Sequence, residues 1–362
     1  VTYPVNQAMV GEFVFGPSTG PVVASSSKLF GGYSASNYKV CAADGSVAVL
    51  KIMNGYGKDW VDGQTQLQER LRVAGFNGVC HCFPLRASAA LGKPKLEFVT
   101  MTGGTPACLL TFCEGMNAAT LIEEGKADNI TVLTGVGKGL AALHSVHIDY
   151  NAECGEAPLL RTWRQGGACL VLQHVTGEML TKMQSSPYTK SHDFAKNFYP
   201  PRALELARLM KESDEIGLPH GCLHGDPFLD NVLVHPNGEF SAFVDLEDIT
   251  TGPLLFDIAC CAIGSCFEET SNTLDMERLG ALLAGYTSVR ALLPAESQRM
   301  VCFMRLALLC NCCWRFVNFN IDNRSEELAA QREAYIELQQ RIVQLESTHL
   351  SAAIEALLVA HK

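Results

Sequence analysis

Hydrophobic and polar positions divide the chain into a strand-rich first third and a helical remainder. Residues 10–53 alternate between apolar and polar side chains, as strands do, and an Ala-Asp-Gly turn signal at 43–45 separates two of these runs. A second hairpin is predicted over residues 96–112, across a Gly-Gly turn. Between the two strand regions, residues 59–74 carry apolar side chains at helical spacing and end at a glycine. The first third is therefore predicted to be a sheet with one helix.

After residue 115 the apolar spacing becomes helical. Residues 131–146 predict one helix, and residues 325–346 predict a single long amphipathic helix. Residues 300–319 form the most apolar stretch of the chain. Arg305 and Arg315 interrupt this stretch, which favours a buried helix over a membrane span.

The composition is that of a globular protein. Of the 362 residues, 48% are apolar and 18% are charged, which provides enough apolar surface for a large core. A single compact core becomes difficult at this length, so we predict two domains, a strand-rich one over residues 1–114 and a helical one over residues 115–362. This segregation of strands and helices predicts the α+β class.

Charge and cysteine content limit the partners and the compartment. The net charge of −10 argues against a nucleic-acid partner, and the N-terminus lacks the basic-then-apolar pattern of a signal peptide. The 15 cysteines are scattered, many of them in apolar helical segments, as expected for reduced core thiols and not for a disulfide scaffold. We therefore predict a cytoplasmic protein that binds neither nucleic acid nor membrane. The pattern does not determine its oligomeric state.

Residues 222–248 carry the strongest chemical signal: His224-x-Asp226-x4-Asn231, then a hairpin-like turn, then Asp245. An Asp five residues before an Asn on a tight loop can aim one side chain at a hydroxyl nucleophile and the other at a metal ion. The later Asp supplies another hard oxygen ligand for Mg²⁺. Phosphoryl transfer from ATP needs both of these functions. Read singly, these residues are polar turn residues between strands, but their combination favours a phosphotransferase.

The same segment resembles the catalytic loop of protein kinases and, more closely, that of the aminoglycoside phosphotransferase and choline kinase superfamily. Phe228 stands where Ser/Thr protein kinases carry a lysine, and no glycine follows Asp245-Leu246 as in Asp-Phe-Gly. The resemblance implies a two-lobed protein-kinase-like fold, ATP and Mg²⁺ as cofactors, and a small-molecule alcohol as substrate. The roles it implies are a catalytic residue, Asp226, and three metal ligands, Asn231, Asp245 and Glu247.

The resemblance also assigns residues of the first domain to the nucleotide. A loop of small residues, with Gly32, Ser34 and Ser36, lies between two predicted strands and can approach phosphates through its backbone N–H groups. Lys51 lies in an apolar strand, as the ATP-binding lysine of kinases does, and Glu69 on the next helix is its predicted partner. Each feature also has a plain structural interpretation, as a turn, an edge lysine and a solvated glutamate.

Further positions follow from the same resemblance. Residues 109–115 occupy the hinge position, so Phe112 and Glu114 are predicted to contact the adenine. Two other positions receive structural roles. His144 is expected to be a satisfied buried polar group, and Asp257 is expected to support the catalytic loop.

Within the superfamily, the chain resembles type II homoserine kinases over residues 29–344, weakly between 155 and 215, and hydroxylysine kinases share the loop-and-strand core. The matching pieces are GGYSASNYKV, ERLRVAGF, TPACLLTFCEG, LAALH, HGDPFLDNVLV, TGPLLFDIA and LLAGYTSVRALLPAE, the last of which is not a catalytic motif. These kinases usually read His-Ala-Asp-Leu-Phe-Arg-Asp-Asn, whereas this chain has Gly225, Pro227 and Leu229. Cys310 also stands where that group tends to carry an arginine.

The substrate implied is a small alcohol with a nearby amine, homoserine first. Asp230 and Asp248 would meet an ammonium group, and Arg305 or Arg315 a carboxylate. A structural acid is an equally good partner for each arginine. The alternatives are a choline, ethanolamine, hydroxylysine or aminoglycoside kinase, and an inactive kinase-fold binding protein.

Overall fold

The computed structural model describes residues 7–15, 23–29, 35–92, 96–148, 178–189 and 192–360. These residues form two compact units. The first is built mainly from the residues up to Gly115, joined by the later segment Ser241–Asp245. The second is built mainly from the residues after Met116. The chain therefore returns briefly to the first unit at Ser241–Asp245 and then continues in the second unit.

The first unit is an antiparallel sheet with short helices. Its elements are α1 (Gln7–Gly11), β1 (Val23–Leu29), β2 (Ala35–Ala42), β3 (Val47–Met53), α2 (Lys58–Val73), α3 (Arg86–Ala90), β4 (Val99–Thr102) and β5 (Thr105–Thr111). The strand order is β1-β2-β3-β5-β4. The register places Lys51 of β3 opposite Asn37 of β2 and Cys108 of β5.

Alternation along β3 separates two apolar clusters. Leu50 and Ile52 are fully buried and join a core that includes Phe13 of the N-terminal segment. Because successive side chains of a strand point to opposite faces, Lys51 lies on the other face. Cys108 is buried on that face, in a cluster that also includes Leu110. The sheet thus places Lys51 beside an apolar cluster.

The predicted helix over residues 59–74 and the predicted hairpin over residues 96–112 are confirmed by α2 and by the β4–β5 pair. The predicted strand at the start of the 10–53 region is wrong in its first half, because residues up to Gly11 form α1. Only the end of this run is extended, with an isolated bridge from Phe13 to Leu85. The spacing of its buried residues allows a helical turn as well as a strand.

The second unit is mainly helical. Its elements are β6 (Met116–Asn117), α4 (Ala118–Glu123), α5 (Asn129–His144), α6 (Glu178–Ser185), α7 (Tyr199–Glu215), β7 (His220–Leu223), β8 (Val232–Val234), β9 (Phe240–Phe243, which leads into the first unit), β10 (Thr250–Pro253), α8 (Leu255–Ser265), α9 (Met276–Thr287), α10 (Pro294–Val317), α11 (Ala334–Leu345) and α12 (Thr348–Ala360). β7 pairs with β10 and β6 with β8, both antiparallel. These short strand pairs flank the segments that carry the predicted chemistry.

The apolar 300–319 stretch lies in α10. This helix and the turn after it are long and apolar enough to cross a membrane, but 72% of that stretch is buried inside the protein. The predicted long helix over residues 325–346 is wrong, because Glu326–Gln331 is a 3-10 turn and α11 begins only at Ala334. The carbonyl of Arg332 accepts from the side chain of Asn320 at 2.9 Å, which anchors the break.

Glycines let α5 and α9 approach each other at backbone distance. A Cβ atom on Gly137 of α5 would lie 2.2 Å from the Leu282 carbonyl oxygen and 2.8 Å from the Tyr286 nitrogen. A Cβ atom on Gly285 of α9 would lie 2.1 Å from the Thr134 carbonyl oxygen. Neither helix can therefore carry a side chain at these positions without moving apart.

We predict that Gly285→Ala destabilises the protein, although alanine normally favours a helix over glycine by about 1 kcal/mol. The methyl group meets backbone atoms that cannot rotate away, so the free energy of unfolding should fall by roughly 1–3 kcal/mol. Denaturant unfolding measures this change. Gly11→Ala is the matched control, since no atom lies within 4 Å of its added Cβ. Equal stability changes in both variants would contradict the backbone contact.

Candidate active site

The predicted catalytic turn lies between β7 and β8 and is held by a buried carboxylate. The side chain of Asp257, near the start of α8, is fully buried. Its Oδ2 accepts from the backbone N–H of His224 at 2.6 Å, and its Oδ1 accepts from that of Gly225 at 2.9 Å. The predicted support of the loop by Asp257 is confirmed. His144, also fully buried, bonds the same carboxylate through Nε2 at 3.2 Å, which confirms it as a satisfied buried group.

Gly225 is required by the shape of this turn. Its φ of +87° lies in the left-handed region, and an added Cβ would lie 2.2 Å from the carbonyl oxygen of Asp248. A side chain at this position would displace the backbone of Asp248. The motif His-Gly-Asp signalled this position, but its contact with Asp248 could not be read from the sequence.

Asp226 and Asn231 are joined by hydrogen bonds. Asn231 Nδ2 donates to Asp226 Oδ2 at 3.0 Å and to the Asp226 carbonyl at 2.9 Å. The amide nitrogen of Asn231 is thus committed to the turn, and its Oδ1 is the atom that can ligate a cation. The spacing of five residues brings these two side chains within hydrogen-bond distance.

The neighbouring acids lie on two 3-10 turns of the second unit. Asp230 is exposed on Leu229–Asn231, and Glu247 and Asp248 are half-buried on Leu246–Asp248. Phe228, which replaces the lysine of protein kinases, packs so closely on α8 that a Cβ on Gly264 would lie 2.1 Å from its ring. Phe228 therefore attaches the turn to the core.

In the first unit, Lys51 binds Asp245. Lys51 Nζ lies 2.8 Å from Asp245 Oδ1, and the two side chains are 11% and 31% exposed. Asp245 has a φ of +59°, in the left-handed region where Asp and Asn are tolerated better than other side chains. Its segment is bound to this unit by the Phe243 N–H, which donates to the Gly78 carbonyl at 2.8 Å.

Glu69, the predicted partner of Lys51, is bound by Arg72. Both carboxylate oxygens of Glu69 accept from Arg72, at 2.7 and 2.5 Å, one turn further along α2. An arginine three residues away on the same helix is within easy reach of the glutamate. The charge of Lys51 is instead matched by Asp245.

The structure shows the surroundings of two other residues predicted to contact the nucleotide, Ser36 and Phe112. Gly32 and Ser34 lie outside the described residues. Ser36 is buried on β2, and its hydroxyl accepts from Asn54 Nδ2 at 3.2 Å. Phe112 is half-buried beneath the ammonium group of Lys39, 4.4 Å from the ring centroid.

The hinge segment also contains features that the sequence did not indicate. The carbonyl of Glu114 accepts from the Ser241 hydroxyl. Cys113 Sγ lies 3.1 Å from Cys80 Sγ. A hydrogen bond from Cys80 lowers the pKa of the Cys113 thiol, whereas Cys80 itself has a raised pKa. Two cysteines 33 positions apart gave no sequence signal of this contact.

Arg305, predicted to meet either a substrate carboxylate or a structural acid, is bound by acids of the protein. Its two terminal nitrogens donate to Glu205 of α7 at 3.0 and 2.7 Å, and Glu346 lies 3.5 Å away. This contact lowers the pKa of the Glu205 carboxyl. Arg315 donates to the carbonyl of Ala334 at 3.2 Å, at the start of α11. Arg305 thus has the structural acid that was the alternative to a substrate carboxylate.

The oxygen donors suit Mg²⁺. Within the described ranges, no three His, Cys, Asp or Glu side chains are grouped closely enough to hold a metal ion by themselves. Mg²⁺ is usually bound through one or two carboxylates together with substrate phosphates, and it prefers hard oxygen ligands. Asp245, Asn231 and Glu247 are donors of this kind.

The sequence is similar to a known protein family and to individual kinases. The model of the phosphotransferase enzyme family matches residues 27–292. A homoserine kinase of Polaromonas naphthalenivorans (strain CJ2) is 30% identical over 164 residues, which cover 45% of this chain and 46% of that protein. The chain spans about half the length of the curated relatives it matches.

Solved structures share the fold. A choline/ethanolamine kinase family protein from Mesorhizobium loti has a TM-score of 0.58 and 15% identity, with 92% of each chain covered. An amicoumacin kinase solved with AMP-PNP and Ca²⁺ has a TM-score of 0.61 and 15% identity, also with 92% of each chain covered. The predicted kinase-like fold, α+β with a strand-rich N-terminal region and a helical C-terminal region, is thereby confirmed. Since the family match extends over residues 27–292, more than half of the sequence, the chain belongs to the phosphotransferase enzyme family.

Proposed function

We propose that this protein transfers the γ-phosphoryl group of ATP to the hydroxyl of a small amine-bearing alcohol or amino acid. The observation that carries the proposal is the turn in which Asn231 donates to Asp226 while Asp257 holds the preceding backbone. A relative named homoserine kinase supports homoserine as the first acceptor to test.

Asp226 would act on the acceptor hydroxyl. The hydrogen bond from Asn231 orients the carboxylate, and the backbone bonds to Asp257 fix the turn from which it projects. A carboxylate held in this way can align an alcohol and accept its proton as the alcohol oxygen bonds to phosphorus. The bond from the γ-phosphorus to its bridging oxygen breaks in the same transfer, and ADP leaves.

The side chains predicted for MgATP have suitable chemistry. In the first unit, Lys51 offers a positive charge for phosphate and Asp245 a carboxylate for the metal. In the second unit, Asn231 Oδ1 and Glu247 are further oxygen donors. Bound Mg²⁺ would neutralise part of the phosphate charge.

The acids around the turn favour an acceptor that carries an amine. Asp230 lies on the 3-10 turn that follows Asp226, and Glu247 and Asp248 lie on the 3-10 turn that packs on Gly225 through Asp248. These acids can meet an ammonium group. Because Arg305 is bound by Glu205, it does not supply the positive charge that a carboxylate would need. This observation favours an amino alcohol without a carboxylate, such as ethanolamine or choline, as the second candidate.

The cysteines support the cytoplasmic location. All thirteen described cysteines are free thiols, and most of them are buried. Reduced thiols in a protein of this size are typical of a reducing compartment.

We predict that one acceptor among homoserine, hydroxylysine, choline, ethanolamine and an aminoglycoside stimulates ADP formation, and that Asp226→Asn removes the stimulation. The change should lower kcat by roughly two to four orders of magnitude, since it removes the group that acts on the hydroxyl. MgATP affinity should stay close to that of the wild type. A coupled ADP assay and calorimetry measure the two quantities.

Glu239→Gln is the control for this variant, because it neutralises an exposed carboxylate on the hairpin that follows the turn. It should leave turnover unchanged. If none of the acceptors stimulates ADP formation, the proposed reaction is contradicted. If Asp226→Asn keeps more than half of the wild-type kcat, the proposed role of Asp226 is contradicted.

We predict that Asp245→Asn weakens MgATP binding by about tenfold or more, because a carboxylate ligand becomes a neutral amide. Asparagine is chosen because it tolerates the left-handed backbone of this position, which alanine would strain. Calorimetric titration with MgATP and with ATP in EDTA separates the metal-dependent part. Asp62→Ala, in the matched Lys58–Asp62 pair, is the control. Equal MgATP affinity in Asp245→Asn and wild type would place the metal elsewhere.

We predict that iodoacetamide alkylates Cys113. The rate of alkylation should increase at lower pH than for an ordinary thiol, because the lowered pKa of Cys113 increases its thiolate fraction. At an ATP concentration that fills about 90% of the sites, labelling should slow roughly tenfold if the hinge binds adenine. Cys80→Ala should slow labelling without ATP. Cys302 is the internal control, because burial raises its pKa to about 11. An equal effect of ATP on the labelling of both cysteines would exclude adenine binding at the hinge.

A further inference from the structure

A chain of hydrogen bonds joins the start of α10 to the catalytic turn. Glu296 Oε1 accepts from Arg290 Nη1 at 3.0 Å, and the same nitrogen lies 3.1 Å from the Tyr286 hydroxyl. The Tyr286 hydroxyl lies 2.8 Å from His144 Nδ1, and His144 Nε2 lies 3.2 Å from Asp257 Oδ2. Three of these residues belong to LLAGYTSVRALLPAE, the matched segment without a catalytic motif.

The carboxylate of Asp257 sets the direction of these hydrogen bonds, because it only accepts. A neutral His144 ring therefore carries its proton on Nε2, and its Nδ1 accepts from the Tyr286 hydroxyl. The guanidinium of Arg290 can only donate, so the oxygen of Tyr286 accepts from it. The Nε2–H of His144 thus donates to the carboxylate of Asp257.

The far end of the chain is fixed by a buried ion pair. The side chain of Glu296 is fully buried and binds both terminal nitrogens of Arg290. Its Oε2 also accepts from the N–H of Leu293 at 2.9 Å, at the start of α10. A buried carboxylate with three donors holds Arg290 in one position, because releasing it would leave a buried charge unpaired.

We propose that Tyr286, Arg290 and Glu296 are positioning residues that fix the tautomer of His144 and thereby hold Asp257 on the backbone of the catalytic turn. Only the effect on turnover rests on the proposed function. With the proton on Nδ1, the lone pair of Nε2 would face the Asp257 oxygen 3.2 Å away. That repulsion would displace the carboxylate that binds the His224 and Gly225 N–H groups.

Tyr286→Phe tests the proposal, because it removes one hydroxyl and keeps the buried ring. Nitrogen-15 spectra of labelled histidine should show His144 Nδ1 as an acceptor and Nε2 as protonated in the wild type. The signal is assigned with a His144→Gln protein. In Tyr286→Phe this single-tautomer signature should be lost. Turnover should fall roughly tenfold through kcat, while KM for ATP changes less than about twofold, because the turn and not the nucleotide contacts is displaced.

Tyr199→Phe is the matched control. Tyr199 is a second fully buried tyrosine of the same unit, and it does not belong to the hydrogen-bond chain between Glu296 and Asp257. It should change neither the His144 spectrum nor kcat. Where Tyr286→Phe fails to fold, Arg290→Met combined with Glu296→Gln removes the ion pair as a unit and should also abolish the single tautomer.

The two readouts separate this proposal from the proposed function. A wild-type protein without kinase turnover would overturn the reaction, and the His144 spectrum would still decide the tautomer. Retention of the wild-type spectrum in Tyr286→Phe overturns the positioning role. A lost tautomer with unchanged kcat shows that the chain does not position the turn for catalysis, which overturns the proposal as well.

Discussion

The buried carboxylate of Asp257 is the interaction on which the predicted catalytic turn depends. Removing a carboxylate from water costs several kcal/mol unless hydrogen bonds and favourable dipoles replace the lost solvent. Here the replacement comes from two backbone N–H groups of the turn, from His144 and from the start of α8. The charge is therefore stabilised only when the turn has its observed shape. The same hydrogen bonds therefore stabilise the core and set the geometry of the turn.

The features that the sequence predicted well are local. His224, Asp226 and Asn231 lie within eight consecutive positions, and the turn that joins them is determined by their spacing and by Gly225. The β4–β5 hairpin and α2 likewise follow from short-range patterns of apolar and turn residues. Such patterns survive folding because the residues that specify them remain neighbours.

The features that the sequence missed are pairings over long distances. Lys51 has a partner 194 positions away, and Arg305 has one 100 positions away. A charged residue in an apolar strand or helix indicates the need for a counter-charge, but many acids satisfy that requirement. Glu69, the partner expected for Lys51, is bound by Arg72 of the same helix. Only the tertiary fold determines which acid is chosen.

The Lys51–Asp245 pair has a consequence for synthesis on the ribosome. The strands of the first unit leave the ribosome long before the segment 241–245 that completes it. At about 5–20 residues per second, the 194 positions between Lys51 and Asp245 correspond to a delay of about 10–40 s. Val244, which packs on the cluster that contains Cys80 and Leu110, arrives equally late. During this interval the nascent sheet carries Lys51 without Asp245, beside an incompletely covered apolar face, so its final stability is set by residues not yet translated.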